Sequence, residues 1–413
     1  MNIPDPLKLY RYQYLPGEVV LTIDGTDYDF RDGSVTYLNI LHQYTKRHLP
    51  VVMMGIEMET KLIQKLYDNC DDAKMTITIM ERKLDEDKKI IGTTPYFKHT
   101  FSVIPAFEMS VYITSTDPSA MENMEVMRQL QNFELFLVDL AAINWFDQEY
   151  ADHCVKVSYA GMLQNIFEVR KIPGEIGYVT PPMQDGIIPD VVIPLGDLVA
   201  NIDHMNVEYG LYDCNPIVYY DFTCMYCIAK TKPNIVAPSA TDFGTITFIL
   251  LNPEKPDHEI SGSYDDAANK THWMNLQVEP HISDTRTRDV NTKLSTLTSV
   301  NAKGEVVKTT LDENATRLKY IYVTTELTEK QLLNENMTGP TLSLRTPNIN
   351  VRPLKPYKDF TFEADTSYDN LDLNGHTYRI LGWTLGIQRE GAVEYLSEVT
   401  MELYQPERED TGA

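Results

Sequence analysis

The strongest periodicity in the chain lies near its end. Leu381, Trp383, Leu385 and Ile387 alternate with Gly382, Thr384, Gly386 and Gln388. After a turn at Arg389-Glu390-Gly391-Ala392, the positions Val393, Tyr395, Ser397, Val399, Met401 and Leu403 alternate with Glu394, Leu396, Glu398, Thr400, Glu402 and Tyr404. Successive side chains of a strand point to opposite faces. The pattern therefore predicts an antiparallel hairpin with one apolar face. The other face of its second strand presents Glu394, Glu398 and Glu402, as a water-facing or channel-facing sheet does.

Residues 1–115 read as a β-rich unit. Glu18 to Ile23 is a strand, Asp24-Gly25 is a turn, and Tyr28 and Phe30 open a return strand. Leu49 to Ile56 is a further strand. Leu62, Ile63, Leu66, Tyr67 and Cys70 then repeat at helical spacing. Met75 to Met80 and Phe97 to Ile104 are two more strands, and the charged stretch Glu81 to Lys89 is expected to be a solvated loop. This order suits a small barrel with one packed helix.

The centre is more mixed. Met121, Met124, Met127 and Leu130 predict a helix over 118–131, and Phe133 to Phe146 is readable as strand or helix. Ser158 is a helix N-cap ahead of a buried face of Met162, Leu163, Ile166 and Phe167. A helix behind Pro194 and Gly196 carries Leu195, Leu198, Val199, Ile202 and Met205 on one face. Ile217 to Ala229 is a long β run, and Thr245 to Leu251 is another strand. From 283 to 317 the chain is dense in Thr, Asn, Asp and Ser, with a hairpin turn expected at Asn301-Ala302-Lys303-Gly304. A projecting β insertion and a flexible linker both fit that stretch.

Composition narrows the class. At 413 residues, with 43% hydrophobic and 23% charged, the chain is long enough for more than one core and too apolar to be disordered throughout. Sixty acidic residues against 36 basic give a formal charge of −24, the wrong sign for a surface that grips phosphates. Acidity serves solubility, or a channel wall along which DNA slides without sticking. No secretory signal and no apolar run of about 20 residues is present, so membrane insertion is not expected. Five cysteines, at 70, 154, 214, 224 and 227, indicate reduced thiols rather than a disulfide framework.

Sites for chemistry are sparse. Cys224-Met225-Tyr226-Cys227 is the single CxxC, half of a zinc site, and it lies in a strand-like run where positions three apart face opposite sides. Whether Cys224 and Cys227 do more than pack is open. The nine histidines form no ligand motif, and no nucleophile elbow or phosphate-cradling loop is present. Converging carboxylates of the kind a cell-wall hydrolase needs are invisible in sequence. The reading is of a non-enzyme with no catalytic, cofactor-binding or metal-binding residues. The 25 tyrosines suit both interfaces and ordinary strands.

Three stretches carry a family resemblance. They are Tyr37-Leu38-Asn39-Ile40-Leu41-His42-Gln43-Tyr44 with His48 to Met54 and the Leu62 to Tyr67 helix; Ile193 to Met205 with Tyr209-Gly210-Leu211-Tyr212-Asp213 and Val218 to Phe222; and the closing hairpin with Gly382-Trp383. In pattern and order they resemble the baseplate hub of contractile-tailed phages, a late-control or tail-hub-like family. The resemblance implies a mixed α+β, β-rich fold with two tail-tube-like β-barrel domains and inserted α+β domains. Residues 1–115 would be the first barrel, 191–255 with 351–405 the second, 116–190 an inserted α+β domain and 256–350 a polar β insertion. The polar stretch 284–317 has no counterpart in that pattern. The resemblance further implies a homotrimer in the virion baseplate, assembled in the bacterial host cytoplasm. Its partners would be a central spike protein, tail tube or tube-initiator proteins and neighbouring baseplate wedge proteins. DNA would pass through its channel without sequence-specific binding, with Glu394, Glu398 and Glu402 as lumen or solvent positions. Another baseplate adaptor or wedge protein is the alternative, and a tail-associated cell-wall hydrolase is the reading from a different class.

Overall fold

A computed structural model describes residues 9–30, 33–44, 48–105, 130–170, 174–212, 216–229, 245–250, 262–266, 271–276, 281–283, 297–300, 306–309, 341–356, 358–364, 373–392 and 394–404. The N-terminal strands are β1 (Leu9–Ile23), β2 (Thr26–Phe30), β3 (Val35–Gln43), β4 (Val51–Glu59), β5 (Lys74–Leu84), β6 (Ile90–Pro105) and β7 (Leu130–Val138), with α1 (Thr60–Asp68) after β4. The middle of the chain holds α2 (Leu140–Phe146), β8 (Tyr150–Ser158), α3 (Tyr159–Glu168), β9 (Glu175–Val179), β10 (Ile187–Gly196), α4 (Leu198–Tyr209), β11 (Ile217–Tyr220) and β12 (Cys224–Ile228). Then come β13 (Thr245–Leu250), β14 (Gly262–Asp266), β15 (Thr271–Leu276), β16 (His281–Ser283), β17 (Leu297–Val300) and β18 (Val306–Thr309). The chain ends with β19 (Thr341–Pro347), β20 (Asp359–Ala364), β21 (Thr377–Glu390) and β22 (Glu394–Tyr404).

Fifteen strands join one large mixed sheet. Its order is β16-β19-β22-β21-β20-β13-β15-β14-β1-β5-β6-β7-β4-β3, with β2 on β1. β13 runs parallel to β15 and β20, and the other pairings of this sheet are antiparallel. β21 is shared between neighbours: Thr377 to Arg379 pair with β20, and Gly382 to Gln388 pair with β3. The sheet thus doubles back, and the closing hairpin is laddered onto the N-terminal strands. Two separate closed barrels are not resolved among the described strands. Where β1 meets the far end, the bonds among the described residues include Tyr12 N to Asn348 O at 2.9 Å, Tyr14 N to Ser397 Oγ at 3.0 Å and Val351 N to Tyr14 Oη at 3.1 Å.

β4 shows why two cores form. Val52, Met54, Ile56 and Met58 point into the core enclosed by the large sheet, while Val51 points into a second core on the reverse face. A strand buried on both faces loses the apolar–polar alternation and reads as a continuous apolar run. The second core gathers α2, α3 and α4 with the ribbon β8–β10 and the three-stranded sheet β11-β12-β9. β10 pairs with β8 from Ile187 to Gly196, so chain on both sides of residue 190 shares that core.

Local expectations hold in most places. Ser158 Oγ caps α3 by accepting from Gly161 N at 3.0 Å, and Met162, Leu163, Ile166 and Phe167 are its buried face. The ambiguous stretch 133–146 is both things in turn, strand β7 and then helix α2 behind the Asp139 cap. The helix expected over 118–131 falls mainly on residues outside those described, and Leu130 and Gln131 open β7.

Four expectations change. Glu81 to Leu84 continue β5 instead of forming a loop, and Glu81 is buried because Arg352 Nε meets its carboxylate at 3.0 Å. Leu195 belongs to β10 and is 67% exposed, since α4 begins only after the Asp197 cap. The run 217–229 is two strands, broken where the Asp221 side chain accepts from Thr223 N and Cys224 N and Phe222 takes φ 73°. In β21 a bulge between Ile380 and Gly382 leaves Leu381 half-buried and turns Ile380 and Trp383 both inward. The turn at 301–304 lies outside the described residues apart from its flanks, where β17 and β18 pair antiparallel.

Candidate functional site

The hairpin β21–β22 sets one wall of the candidate site. Val399, Met401 and Leu403 are buried on its inner face with Leu385 and Ile387. Alternation then puts Glu394, Glu398 and Glu402 together on the outer face, where Glu394 and Glu402 are exposed and Glu398 is half-buried. Their cross-strand partners on β21 are Glu390, Gly386 and Gly382. On the next strand, Gly386 faces Asn39 and Gly382 faces Gln43. The wall is therefore acidic at β22, nearly flat at β21 and amide-bearing at β3. Gly382 is required for this closeness, because a Cβ there would lie 2.4 Å from the His42 carbonyl oxygen.

The three glutamates are not equivalent. Arg345, on β19, pairs with Glu398 at 2.6 Å. The pair is exposed on the arginine side, so it contributes at most about 1 kcal/mol. No feature near Glu398 in sequence signals this partner, which comes from β19 through ladder register.

Behind the wall lies a junction of three chain regions. His42 of β3 stacks on Trp383 of β21 with ring centroids 4.2 Å apart, and its Nδ1 is 3.1 Å from the Tyr219 hydroxyl of β11. Its Nε2 is buried without a hydrogen-bond partner among the described residues. Trp383 Nε1 donates to Tyr44 Oη at 2.7 Å. Burial pulls the His42 imidazole down to about 3, with Asp221 opposing. Nearby, Lys355 Nζ bonds Asp221 Oδ2 at 2.6 Å and Tyr226 Oη donates to the same carboxylate. Burial alone would raise Asp221, but Lys355 and the backbone donors hold it below the usual carboxylate range. This is a packed strut: apart from His42 Nε2, the polar atoms named here serve one another.

The other expected positions are dispersed. Cys227 is fully buried on β12, and Cys224, on the same strand, is half-buried with its thiol pushed up by burial. Cys154 donates to Asp152 at 3.1 Å, and its thiol is likewise raised by burial. His153 pairs with Asp190 on an exposed ribbon, and His204 contacts the Val192 carbonyl. Among the described residues no group of three or more His, Cys, Asp or Glu is placed to hold a metal ion. No described helix is long and apolar enough to cross a membrane.

No family model matches the chain, and no curated protein matches it. Solved structures of similar course exist. The tail protein from Neisseria meningitidis MC58 aligns over 95% of this chain and 96% of its own, at 10% identity and a TM-score of 0.43. The 43 kDa tail protein of prophage MuSo2 from Shewanella oneidensis aligns over 94% and 98%, at 9% identity and 0.42. The E. coli c3393 protein, described as a component of the type VI secretion system similar to T4 bacteriophage tail proteins gp27 and gp5, aligns over 94% and 77%, at 10% identity and 0.41. At TM-scores below 0.5 these likenesses assign neither family nor function.

Proposed function

We propose that the chain is a structural tail protein without enzymatic activity, a baseplate hub that acts as a homotrimeric ring. The observation that carries this reading is the bifacial hairpin sheet. Its inner face is a closed apolar core, and its outer face is a flat polar wall of β22, β21 and β3 that bears Glu394, Glu398 and Glu402. Such a wall suits the lumen of a DNA-conducting channel, because the like charge of Glu394 and Glu402 keeps phosphates from adhering. The hub-like stretches at 37–54, 193–222 and 382–383 support it from the sequence side. In this reading the ring joins tail tube or tube-initiator proteins on one side to a central spike on the other, with wedge proteins around it in the virion. The two tube-like units and their insertions, with the boundaries given above, belong to the proposal. Electron microscopy of the purified chain tests it: ring-shaped particles with a central hole are expected, and solid particles without one contradict it.

A further inference from the structure

The polar wall also holds a feature of opposite sign. An open groove of about 1010 Å³ runs from β1 and β19 across the outer face of β22 and β21. Three cations line it: Arg11 of β1, Lys88 of the β5–β6 turn and Arg345 of β19. Glu398 is the one carboxylate among its lining residues, all of them described, and Arg345 already neutralises it. A surplus of positive charge stands out in a chain with a formal charge of −24.

The balance of charge along the groove points to an anionic ligand. Arg11 Nε is buried and has no hydrogen-bond partner among the described residues. A buried donor left unmatched carries a desolvation cost. Lys88 stands at φ 63°, in the left-handed region that glycine and asparagine occupy more cheaply. The turn around it is ordinary, with Lys88 N donating to Asp85 O and Asp85 N to Lys89 O, each at 3.0 Å.

We propose that this groove binds an extended peptide bearing carboxylates, an acidic segment of a partner protein. Carboxylates satisfy arginine forks and the lysine ammonium. The groove also exposes Leu396, 52% accessible, beside Leu84 and Pro347, which gives apolar side chains of a peptide a place to lie. Duplex DNA fits less well. Its backbone is a rigid, unbroken run of phosphates that would also lie over Glu394 and Glu402, whereas a peptide can carry its carboxylates only opposite the groove's cations. Those two glutamates flank Glu398 by four residues each, about 13 Å along the strand. All the groove residues belong to one chain, so the proposal does not rest on the ring.

The test is a fluorescence titration of the full chain with a labelled peptide of alternating glutamate and leucine. A lysine–leucine peptide and a short DNA duplex are the comparators. Saturable binding of the acidic peptide alone is expected, weakening about tenfold as salt rises from roughly 0.05 to 0.5 M. Lys88→Asn removes the charge while easing the backbone, so binding should weaken several-fold while the melting temperature holds or rises. Glu398→Gln frees Arg345 and should tighten binding about threefold. Absent binding by the folded chain, tighter binding of the duplex, or unchanged affinity in both variants would overturn the proposal. Solution mass measured on the same samples separates this outcome from the fate of the ring: a monomer that binds peptide keeps the groove and loses the ring.

Discussion

Two antiparallel ribbons in this molecule follow the same period-two rule and end in opposite situations. The hairpin β21–β22 has β3 along one edge and β19 along the other, and its outer face is polar. The ribbon β8–β10 has no third strand among the described residues, and its outer side exposes Val155, Ile187, Val192 and Leu195. Of the twelve exposed large hydrophobic residues described, eight fall between 155 and 207. The first ribbon is finished within the chain. The second leaves apolar side chains in water, a state that soluble monomers avoid over large patches. Folding of the single chain therefore accounts for the hairpin, whereas the β8–β10 surface belongs to an assembled particle in the proposed reading.

The largest expected effect lies behind the hairpin. Trp383→Ala removes the ring that stacks on His42 and the indole bonded to Tyr44, and should cost about 3–5 kcal/mol in urea unfolding. A loss below about 1 kcal/mol would mean that the junction does not tie β3 to β21. Next comes Lys355→Met, which leaves the Asp221 carboxylate buried without its cation and should cost about 3 kcal/mol. The double change Asp221→Asn with Lys355→Met should recover part of that, because no charge is then stranded.

The junction also makes stability depend on pH. The folded pKa of His42 is about 3, below its ordinary 6.5. Between those values the unfolded chain binds a proton that the folded chain refuses. Stability from this group is therefore complete above pH 6.5 and falls on acidification by about 1.4 kcal/mol per unit until pH 3. Asp203 acts in the opposite sense. Burial and then Asp197 raise it to about 6, so its cost to the fold is relieved as pH drops below that value. The difference between the wild-type chain and His42→Gln across pH 4–7 isolates the histidine, and a flat difference contradicts the assignment. The smallest effect is at the ribbon. Val155→Glu and Val192→Glu should each change monomer stability by less than about 0.5 kcal/mol, because both side chains are already in water. A large loss in urea unfolding would show that the ribbon is packed within one chain after all.

The same contrast shows what a sequence discloses. The hairpin and its glutamate face were legible because alternation is local and one face is apolar apart from Ser397. The bulge at Leu381 was not, since it answers to β22 opposite. Ser158 was legible as a cap because its partner is three residues away. Glu81 was misread because Arg352, which allows its burial, stands 271 residues later. The break at Asp221 was hidden in an apolar run for a like reason: its carboxylate is held by Lys355 from a distant segment. Arg11, Lys88 and Arg345 carry no shared motif, and only the fold brings them to one groove.

The most direct test of the central claim is the solution mass of the purified chain by light scattering on a sizing column. The account predicts a particle near three times 47.3 kDa. It also predicts that Val155→Glu with Val192→Glu shifts this particle toward monomer without unfolding it. A clean 47.3 kDa monomer at micromolar concentration, unchanged by those substitutions, would contradict the ring and leave only a β-rich structural chain.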